Sequence, residues 1–176
     1  MNIIKKHNIL KSRRRAFKVR TIVLHHSAGP SVRSAENALI NRNLGYHFMI
    51  EKDGTVYEYA PVHRYMSHAY RYNRGSAGVC FIGGGKYGPA SECQIEAVIE
   101  VLRMLAFDFP AITTVTGHKH VDRRGPHLRR GKIDPRFEGE PEQSIDWKID
   151  EKFMKRIANQ SGLRFVNRKE LYGTWE

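Results

Sequence analysis

The sequence predicts one α/β domain, built from strands and helices that alternate along the chain. The chain has 176 residues, an ordinary length for a single domain with its own core. Hydrophobic residues make up 40% and charged residues 27% of it, which is typical of a globular protein. Short β-branched runs lie between stretches of helical periodicity, and this interleaving favours the α/β class. No apolar run approaches the roughly 20 residues of a membrane span.

The first half of the chain predicts a strand, a helix and a hairpin. Residues 21–24 form a β-branched apolar run that ends in a turn-forming cluster, as in a buried strand. Ser34 predicts the N-cap of a short helix. Residues 46–50 and 55–60 alternate apolar and polar positions around an Asp-Gly turn, which predicts a β-hairpin because Gly54 accepts the positive φ of the turn.

The second half predicts two further strands and two helices. Residues 78–82 form a continuous apolar run typical of a central strand, and residues 112–116 form another strand. Between them, Ser91 and Gln94 form a capping-box pattern that opens a helix extending towards Pro110. A polar segment, 118–137, is too irregular for a regular element and is predicted to be a loop. The apolar face of a last helix comprises Ile145, Trp147, Ile149, Phe153, Met154 and Ile157.

The charge of the chain is its unusual property. Thirty Lys and Arg residues against 18 Asp and Glu give a net charge of +12, which predicts an anionic partner such as nucleic acid, an acidic membrane surface or a cell-wall polymer. Residues 1–19 form a basic lead segment, which we expect to be mainly solvated, with a nucleic-acid or membrane contact as the alternative. Charged residues interrupt its apolar stretch, so a signal peptide is not expected. The predicted domain spans 20–160, followed by an extension over 161–176.

Cysteine and histidine are the residue types that could bind a soft metal ion. Cys80 lies within an apolar strand and Cys93 in the first turn of a helix, which favours neither a disulfide nor a metal site. Nine histidines is a high number, and His25, His47 and His118 lie at or beside strand ends, where loops often hold functional groups. A single histidine at such a place is more often structural.

Seven short motifs, taken together, indicate a protein family more specifically than any single cysteine or histidine does. In chain order they are VLHHSAG (23–29), GYHF (45–48), DGTV (53–56), SHA (67–69), SAGV (76–79), GH (117–118) and KIDP (132–135). Their order and wording resemble the zinc-dependent N-acetylmuramoyl-L-alanine amidases of type 2, a family that includes phage lysozymes, cytoplasmic anhydro-muropeptide amidases and peptidoglycan recognition proteins. The resemblance covers residues 20–137 and implies a central mixed β-sheet flanked by helices.

The resemblance also implies a site and a reaction. His25 and His118 match the first two zinc ligands of the family, and Asp134 occupies the place of the third. Two imidazoles and a carboxylate leave the fourth position of Zn²⁺ open, as in catalytic sites. Tyr46 and Lys132 match residues that the family uses around the scissile amide, which joins N-acetylmuramic acid to L-alanine. An ammonium group suits a developing oxyanion, and a phenol can hydrogen-bond to it.

The third ligand is the least certain of the three. His118 and Asp134 are sixteen positions apart, farther than is usual in the family, because of an arginine-rich insertion at residues 121–130. A loop insertion costs little closure entropy, so the ligand geometry can survive it. Asp122, His120 and His127 are alternatives to Asp134. The arginines of the insertion are expected either to meet anionic glycan or teichoic acid or simply to be solvated.

Substrate contacts are predicted around His68, which resembles a site position of the phage lysozymes. Tyr72 and Asn73 lie close to it in the sequence and are predicted to bind substrate with it. His26 resembles a neighbour of the first ligand that does not bind metal.

Several functions are compatible with this resemblance. We expect a monomeric zinc amidase acting on peptidoglycan, of the endolysin type, which waits in the cytoplasm until it is released to the cell wall. A cytoplasmic recycling amidase is the nearest variant; Asp134 supports it, whereas the lysozyme-like GYHF and SHA motifs and the positive charge favour the endolysin. The alternatives are a peptidoglycan-binding protein without catalysis and a regulator of a phage RNA polymerase, since some lysozymes of this family inhibit that enzyme.

Overall fold

A seven-stranded β-sheet runs through the protein. A computed structural model of the chain describes residues 2–14, 17–121, 128–129, 132–133, 151–167 and 170–171. The strands of the sheet are β1 (Ile3–Lys5), β3 (Thr21–His26), β4 (Phe48–Ile50), β5 (Val56–Glu58), β7 (Ser76–Phe81), β8 (Thr114–Gly117) and β11 (Arg164–Phe165). Their order is β1-β5-β4-β7-β3-β8-β11, and every neighbouring pair is parallel except β4 with β5. The sheet is therefore mixed, as the sequence predicts.

Two small antiparallel ribbons and four helices complete the described elements. One ribbon joins β2 (Arg13–Arg14) to β6 (Arg64–Tyr65), and the other joins β9 (Leu128–Arg129) to β10 (Lys132–Ile133). The helices are α1 (Val32–Arg42), α2 (Glu92–Asp108), α3 (His118–Val121) and α4 (Glu151–Ser161). Short 3-10 turns lie at Asn73–Gly75 and Gly85–Tyr87.

The two faces of the sheet have different roles. Side chains alternate between the faces along a strand. Ile22 and Leu24 of β3 belong to the main hydrophobic core, which also contains residues of α2 and α4. Val23 therefore lies on the opposite face, where it packs with Ala69 and Val121. His25 shares this second face, because it lies two residues beyond Val23 on the same strand.

The helix predicted from Ser34 begins earlier than the sequence suggested. Its N-cap is Ser31, whose side chain accepts a hydrogen bond from the Ser34 amide at 3.2 Å. The amide of Val32 donates to the Glu51 carboxylate at 3.0 Å. A group distant in sequence thus satisfies an exposed donor at the helix start, and the cap of α1 lies three residues before the predicted one.

The hairpin and the long helix agree with their local signals. In the hairpin, β4 pairs with β5 so that Ile50 lies opposite Val56, and Gly54 in the turn has a φ of 88°. Ser91 and Gln94 form the reciprocal capping box at the start of α2, as predicted.

The segment after β8 contains more regular structure than the predicted loop. His118 does not enter a loop but opens the single helical turn α3, and the β9–β10 ribbon follows within the same segment. The strand before it, Thr114–Gly117, begins two residues later and ends one residue later than predicted. Of the predicted last helix, Met154 and Ile157 are buried in α4, whereas Ile145, Trp147 and Ile149 lie outside the described residues.

Both flanking segments contribute to the main sheet. In the lead segment, β1 pairs in parallel with β5, Leu10 is buried, and Lys6 forms an ion pair of 2.8 Å with Glu36. Arg13 and Arg14 are exposed, as expected for this lead. At the other end, β11 adds to the sheet beside β8.

The cysteines lie in the two elements that the sequence predicts for them. Cys80 is buried in β7 and Cys93 is exposed on α2, and no disulfide joins them. Among the described residues, no helix combines the length and the apolarity that are needed to cross a membrane.

Candidate active site

The site begins where two parallel strands end side by side. Leu24 of β3 pairs with Gly117, the last residue of β8, so the residues that follow them, His25 of β3 and His118 of α3, lie at the same edge of the sheet. Their ring centroids are 4.7 Å apart. The carboxyl edge of parallel strands is a usual place for functional groups in α/β proteins. The sheet thus brings together two histidines that are distant in sequence.

His25 is held in a form that suits metal binding. Only 1% of the residue is exposed. Burial, and then the nearby rings of His118, His68 and His26, keep the pKa of His25 well below its ordinary value. The imidazole is therefore neutral at pH 7 and keeps a lone pair on one ring nitrogen, which is the form that ligates metals.

Tyr46, two residues before β4, reaches the same place. Its ring centroid lies 4.7 Å from that of His25. The neighbouring His47 fixes the chain here, because its Nδ1 accepts from the Gly78 amide at 3.0 Å and its Nε2 donates to the Arg64 carbonyl at 2.9 Å. His47 is completely buried. Of the three strand-end histidines, His47 therefore has a structural role.

His68 is the fourth side chain of this group. Its Nδ1 lies 3.1 Å from Nε2 of His25, and its Nε2 lies 3.3 Å from the hydroxyl of Ser76. The ring covers Gly78, where a Cβ would come within 2.8 Å of Cγ of His68. Sequence reasoning singled out His68 but missed Ser76 and Gly78. The small residues of the SAGV motif on a central strand were the signal for them.

The other two predicted substrate-binding residues support the His68 segment. The carboxamide oxygen of Asn73 accepts from the amides of His68 and Ala69, at 2.8 and 2.6 Å. The hydroxyl of Tyr72 lies 3.5 Å from that of Thr21, and the ring is half-buried. Contact of His68, Tyr72 and Asn73 with substrate stays a prediction.

The remaining predicted residues lie largely beyond what the structure describes. Lys132 is placed by its backbone alone, opposite Arg129 in the β9–β10 ribbon. Asp134, Asp122 and His127 lie outside the described residues. The ring of His120, another alternative ligand, packs 5.4 Å from that of Phe165. Within the described part of the chain, no group of three histidine, cysteine or acidic residues is arranged to hold a metal.

Comparison with known proteins identifies the family. The sequence model of the N-acetylmuramoyl-L-alanine amidase family matches residues 15–137. The chain belongs to this family, as its motifs suggested. Residues that the motifs single out on β3, β7 and β8 lie within the matched range.

The relatives found by sequence include phage endolysins and peptidoglycan recognition proteins. The chain is 35% identical to the endolysin of Enterobacteria phage K11, over 43% of this chain and 54% of that protein. It is 30% identical to peptidoglycan-recognition protein 2 of Holotrichia diomphalia, over 43% of this chain and 48% of that protein. The chain thus spans only about half the length of these relatives.

Solved structures show the same fold. The N-acetylmuramoyl-L-alanine amidase LysC from Clostridium intestinale URNW superposes with a TM-score of 0.62, at 24% identity, over 85% of this chain and 97% of that one. The Ph2119 endolysin of a Thermus scotoductus bacteriophage gives a TM-score of 0.59 at 20% identity, over 91% and 99%. The predicted α/β architecture with a mixed sheet is confirmed.

Proposed function

We propose that the protein is a zinc-dependent amidase of peptidoglycan, which hydrolyses the bond between N-acetylmuramic acid and the L-alanine of the stem peptide. The observation that carries this proposal is the meeting of His25, His118 and Tyr46 at the carboxyl edge of the sheet. The ring centroid of His25 lies 4.7 Å from that of Tyr46 and 4.7 Å from that of His118. Membership of the amidase family supports the reaction type.

The donor set fits a zinc ion. His25 is neutral and buried, and His118 presents a second imidazole beside it. We assign the third ligand to Asp134, because it follows the β9–β10 ribbon that carries Lys132 and repeats the Lys-x-Asp-Pro wording of the family. Two histidines and a carboxylate form a set that leaves one zinc position open for catalysis.

The surrounding residues supply what hydrolysis of an amide requires. When bound, zinc supplies a Lewis acid that polarises the amide carbonyl and lowers the pKa of water to about 7. The phenol of Tyr46 donates a hydrogen bond to the oxygen on which negative charge develops. The ammonium group of Lys132 stabilises the same charge. His25 and His118 bind the metal from a rigid sheet edge, so the reacting groups need little reorganisation.

The proposed substrate agrees with the charge of the chain. Peptidoglycan and the polymers attached to it are anionic, and a net charge of +12 favours encounter with them. The endolysin relatives support an enzyme that reaches the wall after release from the cytoplasm. Binding to a phage RNA polymerase and a monomeric state stay predictions.

Digestion of purified peptidoglycan tests the proposal. The zinc-loaded protein is incubated with the polymer, a chelated sample is run in parallel, and the soluble products are identified by mass spectrometry. We expect free stem peptides that begin with L-alanine, present with zinc and absent after chelation.

Two other results would contradict this function. Fragments with a cleaved sugar chain or a cut within the stem peptide would show a different bond specificity. Intact polymer with a folded, zinc-loaded protein, together with binding to the polymer, would indicate a recognition protein without catalysis.

A further inference from the structure

We propose that Ser76 and His68 form a hydrogen-bond relay that fixes the tautomer of His25, so that His25 presents Nδ1 to the metal. The inference rests on the proposed zinc site and concerns two residues behind the ligand His25 that do not themselves bind the metal. His68 is a positioning residue in this account, since it acts through His25.

The relay starts at the hydroxyl of Ser76. This hydroxyl donates its single hydrogen to the carbonyl of Tyr72 at 2.6 Å. Its oxygen can then only accept in its contact with Nε2 of His68 at 3.3 Å. Nε2 of His68 must therefore carry a hydrogen.

The tautomer of His25 follows from that of His68. In the relay, His68 carries its one hydrogen on Nε2 and keeps a lone pair on Nδ1. This nitrogen accepts the hydrogen bond of 3.1 Å from Nε2 of His25. A ring nitrogen that ligates a metal carries no hydrogen, so a hydrogen on Nε2 of His25 leaves Nδ1 for the metal. Only Nδ1 can then ligate zinc.

The surroundings hold the relay in place. Ser76 is fully buried, and His25 and His68 are exposed by 1% and 8%, so water competes little for these hydrogen bonds. Gly78 leaves room for the His68 ring, and Asn73 binds the His68 amide at 2.8 Å. Hydrogen-bond partners behind metal ligands commonly fix the tautomer and raise ligand basicity.

The first test reads the tautomer without any metal. Two-bond ¹H–¹⁵N correlations of the metal-free, ¹⁵N-labelled protein distinguish the two neutral forms of each histidine, and the signals lost in His25→Gln identify His25. We expect His25 and His68 both to carry their hydrogen on Nε2. A hydrogen on Nδ1 of His25 in the wild type overturns the relay.

The second test measures zinc affinity by competition with a chromophoric chelator. Ser76→Ala removes the acceptor of the relay, and we expect zinc affinity to fall about 10-fold or more. Ser161→Ala is the matched control, because Ser161 is also buried and donates to a backbone carbonyl, that of Ile157 at 2.8 Å, but lies in α4. Equal affinities of the two variants overturn the role of Ser76.

A pair of variants at His68 separates the acceptor from the bulk of the ring. Asn and Leu have similar shapes, but only Asn offers an oxygen that can accept from His25. We expect His68→Asn to bind zinc more tightly than His68→Leu, with similar melting temperatures. Equal zinc affinities of two folded variants overturn the relay.

The outcomes also separate the relay from the proposed function. A wild type with the Nε2–H tautomer that binds zinc but leaves peptidoglycan intact supports the relay and refutes the amidase. A wild type that hydrolyses peptidoglycan with His25 protonated on Nδ1 refutes the relay alone.

Discussion

Gly78→Ala tests the packing on which the site depends. An added Cβ would lie 2.8 Å from Cγ of His68, 3.0 Å from its Nδ1 and 3.1 Å from its Cβ. The φ of Gly78 is not among the positive values of the chain, so the backbone itself accepts alanine. The substitution therefore acts only through the volume of the added methyl group, which pushes the His68 ring away from β7.

The expected cost is that of overpacking a core. His68 is only 8% exposed, and its backbone is bound by Asn73, so the ring cannot move away freely. Such overpacking costs about 1–3 kcal/mol. In a protein of this size each kcal/mol lowers the melting temperature by about 2–4 °C, so we expect a decrease of about 2–12 °C. The hydrogen bond to His25 is lost with the shift, which lowers zinc affinity about 10-fold.

Gly75→Ala is the matched control for this substitution. A Cβ at Gly75 meets nothing within 4 Å, and its φ is likewise not positive. Alanine there should leave zinc affinity unchanged and alter stability by less than about 1 kcal/mol. Thermal unfolding and chelator competition are measured on both variants. A Gly78→Ala protein as stable as wild type, with equal zinc affinity, would refute the described packing of His68.

Three further variants test other parts of the account. Tyr46→Phe should keep one zinc per chain but lower kcat for peptidoglycan about 100-fold, because a hydrogen bond to the developing oxyanion is lost; an unchanged kcat would remove Tyr46 from the mechanism. Ser91→Ala breaks the capping box of α2 and should lower the free energy of unfolding by about 1 kcal/mol in denaturant titrations; an unchanged free energy would show that this cap does not stabilise α2. Leu10→Ala should cost about 2–5 kcal/mol, since Leu10 is 3% exposed; a cost near zero would mean that the lead segment does not pack on the domain.

Local signals predicted those parts of the fold that depend on neighbouring residues. Gly54 marks the hairpin turn, and Ser91 with Gln94 marks the start of α2, because the required contacts lie within a few positions. The juxtaposition of His25 and His118 was predicted only through the family resemblance, which made both of them zinc ligands, and the parallel pairing of β3 with β8 explains it.

Other features depend on partners distant in the chain. The start of α1 depends on Glu51, whose carboxylate accepts a hydrogen bond from the amide of Val32, nineteen positions away in the chain. The strands β1 and β11 have three and two residues, too few for a periodic pattern, and exist because β5 and β8 offer edges for pairing.

The hydrogen bonds behind His25 were beyond the sequence for the same reason. They form because the segment that carries His68 folds over Ser76 and Gly78 of β7. The SAGV motif indicated that these small residues matter, but not which side chain they accommodate. Tertiary contact decides such positions.

The central claim is that His25 and His118 hold the zinc ion with which the protein hydrolyses peptidoglycan. Zinc content and release of stem peptides are measured on the same preparations of the wild type and of His118→Ala, after circular dichroism has shown that both are folded. We predict one zinc per chain and stem peptides beginning with L-alanine for the wild type, and neither for the variant. A folded His118→Ala protein that keeps both its zinc and its activity would contradict the account.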